Sequence, residues 1–213
     1  MGRYKQGLWN GFVLSLALAL SACQMAVPTP VTPTQAAPKE IRLSSRGLTV
    51  AGPKGFCIDP GSVKDEQGGS FVLLSSCTGL SGGSNLGRTA STAVLTLSVS
   101  GPSTDAAAFD AAGVQAFFAS DAGRTALSRS GNMATVTLLG SVIEDGTVFV
   151  HARDTSAPMI NGLGDEYWRA FFVSGGRLMT ATATPFSQAP MSSGGLKTVL
   201  KQFAVVLARK NPT

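Results

Sequence analysis

Two tight turns in the second half of the chain constrain its fold more than any other feature. Asp145-Gly146 lies between the apolar segments 134–143 and 147–155. Asp-Gly is a strong two-residue hairpin signal, because both central positions tolerate positive φ. Gly175-Gly176 turns the segment 166–174 back into 177–186 in the same way. If Ser174 sits opposite Arg177, alternation places Trp168, Ala170, Phe172, Met179, Ala181 and Ala183 on one face. Those alanines leave room for a helix to approach closely. The opposite face carries Tyr167, Arg169, Phe171, Thr180, Thr182 and Thr184, an amphipathic row open to packing or to a partner. The same logic sets Gly140 across from His151.

The earlier segments extend this pattern. Leu48-Thr49-Val50 and Phe56-Cys57-Ile58 are short strand candidates divided by Gly52-Pro53. Residues 70–77 read as a longer strand, and their nearly continuous apolarity predicts burial on both faces. Residues 93–99 alternate Val94, Thr96 and Ser98 against Leu95, Leu97 and Val99. The period then changes. Residues 105–128 are Ala-rich, with Phe109, Val114, Phe117 and Phe118 at helical spacing. Ser103 or Thr104 can cap this segment, and Gly113 and Gly123 can break it. From Ser192 or Ser193 to about Arg209, Leu196, Val199, Leu200, Phe203, Val206 and Leu207 form one helical stripe. The expected fold class is α+β. It has an antiparallel sheet of about six to seven strands, a middle helical segment and a C-terminal amphipathic helix.

The N-terminus decides where such a domain would work. Arg3 and Lys5 precede an apolar run ending at Leu20, which reads as a secretory signal. The run falls well short of the ~20 residues that span a bilayer as a helix. Leu20-Ser21-Ala22-Cys23 resembles the lipobox of bacterial lipoproteins. The resemblance implies that residues 1–22 are removed and that Cys23 is lipidated as the first mature residue. The alternative is an ordinary signal peptide cut near Ala22, with Cys23 a bystander. Gln24 after the cysteine favours the outer over the inner membrane by the enteric sorting pattern. Residues 23–39 then hold the lipidated cysteine and a Pro/Thr-rich tether. About 16 residues of extended chain at ~3.1 Å each could hold the domain up to ~50 Å from the bilayer. A single globular domain follows over 40–210.

Removing Arg3 and Lys5 with the leader lowers the formal net charge from +5 to +3. The remaining basic residues are scattered, which disfavours a nucleic-acid surface. Of the three cysteines, lipidation leaves Cys57 and Cys77. In an oxidising envelope an even pair reads as a disulfide, the alternative being two buried thiols. Two cysteines and one histidine make no closed zinc shell, and no other cofactor is expected.

The arrangement from Leu48 to Leu207 resembles the PsbP/Mog1/DcrB-like fold. The resemblance is carried by Gly55-Phe56-Cys57-Ile58-Asp59-Pro60, by the hairpin Trp168-Arg169-Ala170-Phe171-Phe172 with Leu178-Met179-Thr180-Ala181-Thr182, and by the closing helix. The family's aromatic pair around the first proline turn is half present. The resemblance implies a binding or envelope lipoprotein without a shared catalytic site.

Candidate chemistry is sparse. Gly79-Leu80-Ser81-Gly82-Gly83 matches G-x-S-x-G, but a nucleophile elbow needs a helix directly after it, and residues 89–99 read as strand. Gly82 to Thr89 approaches a phosphate loop with Arg88 in place of lysine, and it too lacks the helix that the mechanism requires. His151 shares a strand face with Phe149 and Arg153. Asp65-Glu66, Glu144-Asp145 and Asp165-Glu166 are acidic pairs at turns, where solvation is their usual role.

The sequence therefore predicts a lipid-anchored, periplasm-facing envelope protein with a non-catalytic binding or structural domain. Its partners would be the bilayer, through acylated Cys23, and an envelope protein. Tyr167, Arg169, Phe171, Thr180 and Thr182 form the expected interaction face. The alternative is a periplasmic serine hydrolase using Ser81 and His151.

Overall fold

The computed structural model describes residues 36–81, 93–101, 106 and 108–212. The described elements fall within one compact unit, Thr34–Thr213. The fold is α+β. Strands β1 (Glu40–Leu43) and β2 (Leu48–Ala51) form a separate antiparallel ribbon. The main sheet contains β3 (Phe56–Ile58), β4 (Lys64–Glu66), β5 (Gly69–Ser76), β6 (Ala93–Ser100), β7 (Val136–Glu144), β8 (Thr147–Asp154), β9 (Glu166–Ser174) and β10 (Arg177–Pro185). Its order is β3-β5-β6-β10-β9-β8-β7, with β4 also pairing with β5. Every pairing is antiparallel.

This main sheet has eight strands among the described residues, against an expected six to seven. The Lys-Asp-Glu sequence of β4 has no strand propensity. Tertiary bonds hold it instead. The Asp65 carboxylate accepts from Ser45 N–H at 3.0 Å and from the Ser70 hydroxyl at 2.8 Å. Arg46 donates to the Gln67 carbonyl at 2.8 Å. The turn of the ribbon is thereby tied down onto the β4–β5 turn.

Both predicted hairpins form in the expected register. Glu144 pairs with Thr147 and Ser174 with Arg177, while Gly140 faces His151. Asp145 and Gly146 adopt φ of 50° and 74°, and Gly175 and Gly176 adopt 55° and 68°. These successive positive values make mirror-image turns that match the twist of the strands they join.

The middle segment forms two helices, α2 (Ala111–Ala119) and α3 (Asp121–Leu127). The expected break at Gly113 or Gly123 lies at Ser120 instead. Ser120 is extended, and its hydroxyl accepts from Gly123 N–H at 3.2 Å as the cap of α3. Gly123 permits this turn by close approach, since a Cβ there would lie 2.0 Å from the Phe117 carbonyl oxygen. The cap of α2 is Asp110, which accepts from Ala112 and Gly113 N–H. The expected caps Ser103 and Thr104 lie outside the described residues.

A four-residue helix, α1 (Cys77–Leu80), follows β5, so Cys77 starts a helix rather than ending the strand. Cys57 and Cys77 form a disulfide with Cα atoms 4.7 Å apart, fastening β3 to the start of α1. The C-terminal helix α4 (Ser193–Lys210) begins at a Ser192 cap. Its closing residue Asn211 bonds both the N–H and the carbonyl of Thr49, and its own carbonyl accepts from Gly175 N–H at 3.0 Å. One buried amide thus joins the helix end to the ribbon and to the second hairpin. Among the described residues no helix is long and apolar enough to cross a membrane.

The larger core lies between α4 and one sheet face. Leu196, Leu200, Phe203 and Leu207 pack on Leu95, Leu97, Phe172 and Met179, with Ala170, Ala181 and Ala183 providing the close approach. The smaller core lies on the other face. There Phe118 and Leu127 cover Val148, Val150, Tyr167 and Phe171. Because α2 and α3 sit over β7 and β8, the outward row of β5 lacks their cover. Ser70, Val72 and Leu74 are buried, whereas Phe71 and Leu73 are only half-buried. The expected burial of this strand on both faces is corrected accordingly.

Candidate functional site

The amphipathic face of the second hairpin is assembled by register. Thr180 pairs with Phe171 and Thr182 with Arg169. The five candidate residues then separate into three environments. Tyr167 is buried, and its hydroxyl donates to the Leu127 carbonyl at 2.8 Å, so it fastens the end of α3 to the sheet. Burial raises its pKa above the ordinary tyrosine value. Arg169 and Thr182 form a half-buried polar pair, with Nε donating to Oγ1 at 3.2 Å. The guanidinium lies 5.1 Å from the centre of the Tyr167 ring, and desolvation pulls its pKa below the usual arginine value. Phe171 is buried and stacks on Phe118 with centroids 4.4 Å apart.

Phe171 and Thr180 also line an apolar groove of about 490 Å³ beside α2. Its other walls include Phe109, Val114, Phe117, Phe118 and Leu178. Phe117 remains 45% exposed although its neighbour Phe118 is buried. This is the volume range of small-molecule and side-chain sites. In the sequence the paired phenylalanines stand at helical spacing. Their contribution to a groove depends on how α2 docks on the sheet.

His151 lies on the opposite face, at the start of α4. Its Nε2 is 2.7 Å from Glu166 Oε1 and 3.3 Å from Ser193 Oγ. The imidazole stacks on Trp168 with centroids 4.6 Å apart, and Trp168 Nε1 donates to Ser193 Oγ at 3.0 Å. In a catalytic triad the acid holds one ring nitrogen and the other faces the nucleophile. Here one nitrogen faces both groups. Burial raises the Glu166 pKa, but the bonds from His151 and Arg153 outweigh it and leave a net lowering. Spacing along the chain could not reveal this cluster, because Ser193 is 42 residues from His151.

The structure does not bring Ser81 to His151. Ser81 follows α1 at the β3–β5 side, and its hydroxyl donates to the Cys77 carbonyl at 2.8 Å. β5 and β8 are separated by β6, β10 and β9, about 19 Å at the usual strand spacing. Gly82-Gly83, the rest of the phosphate-loop-like segment, and Cys23 lie outside the described residues.

The acidic pairs have structural partners. Asp65 closes the β1–β2 turn. Burial pushes its carboxyl up, but the serine bonds outweigh this and hold it at about 2. Glu144 accepts from Lys197 and Lys201 at 2.6 and 2.9 Å, and these bonds lower it to about 2. Asp165 gives its backbone carbonyl to Asp154 N–H at 3.0 Å. Asp154 itself is fully buried and accepts from Arg129 N–H at 2.7 Å and from Arg129 Nε at 3.2 Å. Sequence reading missed this pair, for Arg129 lies in an irregular segment. Among the described residues no three His, Cys, Asp or Glu side chains converge. No protein-family model matches the chain, and no curated protein matches it, so its function has to be read from these residues.

Proposed function

We propose that this chain is a lipid-anchored protein of the bacterial cell envelope whose domain binds an envelope partner and performs no catalysis. The observation that carries the binding reading is the phenylalanine-lined groove on Phe171 and Thr180, which overlaps the interaction face expected from sequence. A soluble domain that keeps Phe117 at the mouth of such a groove presents an apolar surface suited to a partner's side chains. The export signal, the lipobox at Cys23 and the tether place the domain outside the cytoplasm in this reading. The Cys57–Cys77 disulfide supports an oxidising compartment. Gln24 favours the outer membrane, with the domain facing the periplasm. The resemblance to the PsbP/Mog1/DcrB-like fold, carried in the sequence by residues 55–60, the hairpin 168–182 and the closing helix, belongs to the same reading.

The binding reading is tested with a photo-crosslinking residue at position 117 in cells. A discrete adduct that disappears with Phe171→Ala is expected. Crosslinks no different from those at exposed position 121 would sink it. Intact mass of the membrane-extracted protein tests the anchor separately. A chain starting at acylated Cys23 is expected, and an unmodified Cys23 would remove the lipoprotein reading.

A further inference from the structure

The root of the tether lies beside a second groove. The Pro38 carbonyl accepts from Ile58 N–H at 2.8 Å, and the Lys39 carbonyl from Gly52 N–H at 3.4 Å. Glu40 holds Lys210 of α4 at 2.5 Å. Directly after Gly52, Pro53 and Lys54 form one wall of a groove of about 470 Å³, and α4 forms the other. Val205, 46% exposed, and Val206 supply apolar surface, while Lys54, Lys201 and Arg209 supply charge. No carboxylate lines the groove among the described residues. Lys201 is shared with Glu144 on one flank, and Lys210 with Glu40 on another. Lys54 and Arg209 are exposed and make no ion pair among the described residues.

We propose that this groove receives the head group of an anionic phospholipid of the membrane in which Cys23 is anchored. The proposal rests on the lipid-anchored reading above. Basic side chains beside exposed Val205 and half-buried Val206 match an anionic phosphate above an acyl boundary. Two cations without an ion pair among the described residues would recruit a freely diffusing protein only weakly. A short tether changes this, because it presents the bilayer at an effective concentration of millimolar order, which fills sites too weak to act alone. The contact also sets the orientation of the domain. With α4 against the bilayer, the groove beside α2, on the other face of the sheet, is turned away from the membrane and left open to a partner.

The test uses the acylated protein in nanodiscs, of phosphatidylcholine alone or with added phosphatidylglycerol. Lysine acetylation rates are read by mass spectrometry. Lys64, at the far end of β5 from this groove, is the internal control. Phosphatidylglycerol should slow acetylation of Lys54 about threefold or more, as expected for an occupied tethered site, and leave Lys64 unchanged. Arg209→Glu should abolish the protection. Equal Lys54 rates in the two discs would overturn the proposal, as would protection that survives Arg209→Glu. Excess inorganic phosphate that protects Lys54 equally in phosphatidylcholine discs would overturn the lipid assignment in favour of a small-anion site. Intact mass of the same sample reports acylation independently. If Cys23 proves unmodified, the comparison is repeated with the full chain and phosphatidylglycerol vesicles at millimolar accessible lipid, the concentration a tether would supply, where unchanged Lys54 rates would overturn the groove as well.

Discussion

The two faces of the main sheet are built by different rules. Toward α4, the central positions of β6, β9 and β10 are apolar, with Leu95 and Leu97, Trp168 to Phe172, and Met179 to Ala183 in alternating positions, and the alanines let an 18-residue helix lie close. Toward α2 and α3, the same strands carry threonine, arginine and aromatic residues. Two short helices cover only part of that surface, and buried polar contacts such as Tyr167 to Leu127 complete the seal. Continuous apolar packing on one side frees the other to combine structure with a groove.

The sharpest way to break this contrast is to truncate one aromatic on each side. Phe203→Ala, in the α4 core, should cost about 3–5 kcal/mol in urea unfolding, because it leaves a cavity in a packed interior. Phe117→Ala should stay within about 1 kcal/mol, as expected for a half-exposed side chain. Comparable losses would show that the groove is simply more core. Dependence of the α2–α3 side on polar fastening is tested next. Arg129→Ala removes the guanidinium from fully buried Asp154 and leaves it the backbone N–H bonds of residues 129 and 156, which should cost about 3 kcal/mol, the upper end for hydrogen bonds to a charged group, read by the same unfolding curves. A near-neutral result would mean that the helices hold that side by apolar contact alone.

Reducing the Cys57–Cys77 bond should cost about 3 kcal/mol on the chain-entropy account, measured as a shift in urea midpoint. It acts at the β3 edge of the larger core, away from α2 and α3, so near-ultraviolet dichroism of the remaining fold should persist. Gly123→Ala forces a Cβ against the Phe117 carbonyl and should cost about 1–3 kcal/mol as an overpacking change. Its distinguishing effect is a disturbed groove, visible as loss of the position-117 crosslink. The smallest effect concerns pH. Asp65 has a depressed folded-state pKa, so its contribution to stability is present above the ordinary carboxylate pKa and is lost as pH falls toward about 2. Asp65→Asn should therefore flatten part of the acid limb of the stability profile and leave Phe203→Ala with its full cost.

The elements legible in sequence were those with a local cause. Asp145-Gly146 and Gly175-Gly176 determined their own hairpins, and with them the faces of Arg169 and Trp168. The stripe from Leu196 to Leu207 announced α4. Strand β4 was hidden because Lys64-Asp65-Glu66 is extended by side-chain bonds from the β1–β2 turn rather than by its own propensity. The helix break was misplaced for a related reason. Gly113 and Gly123 carry the breaker signal, yet Ser120 makes the turn and Gly123 only allows the approach. The interaction face was half legible. Alternation grouped Tyr167, Arg169 and Phe171, but which of them a helix covers depends on where α2 and α3 dock, and no local pattern encodes that choice.

The β1–β2 ribbon has a mechanical consequence. In the proposed anchored protein, any pull between membrane and domain first meets the bonds of Pro38 to Ile58 and of Lys39 to Gly52, and then Glu40, the open end of a ribbon whose closed end is Leu43–Leu48. A pull there opens the pairs one at a time instead of shearing them together. Peeling the four residues of β1 would lengthen the leash by about 13 Å at ordinary strand rise. The load would next reach β2 and then β3, where the Cys57–Cys77 bond joins the chain covalently to the start of α1, directly after β5. The ribbon can therefore act as a short extensible link ahead of a fixed stop, yielding to small displacements between bilayer and bound partner while the eight-stranded sheet stays intact.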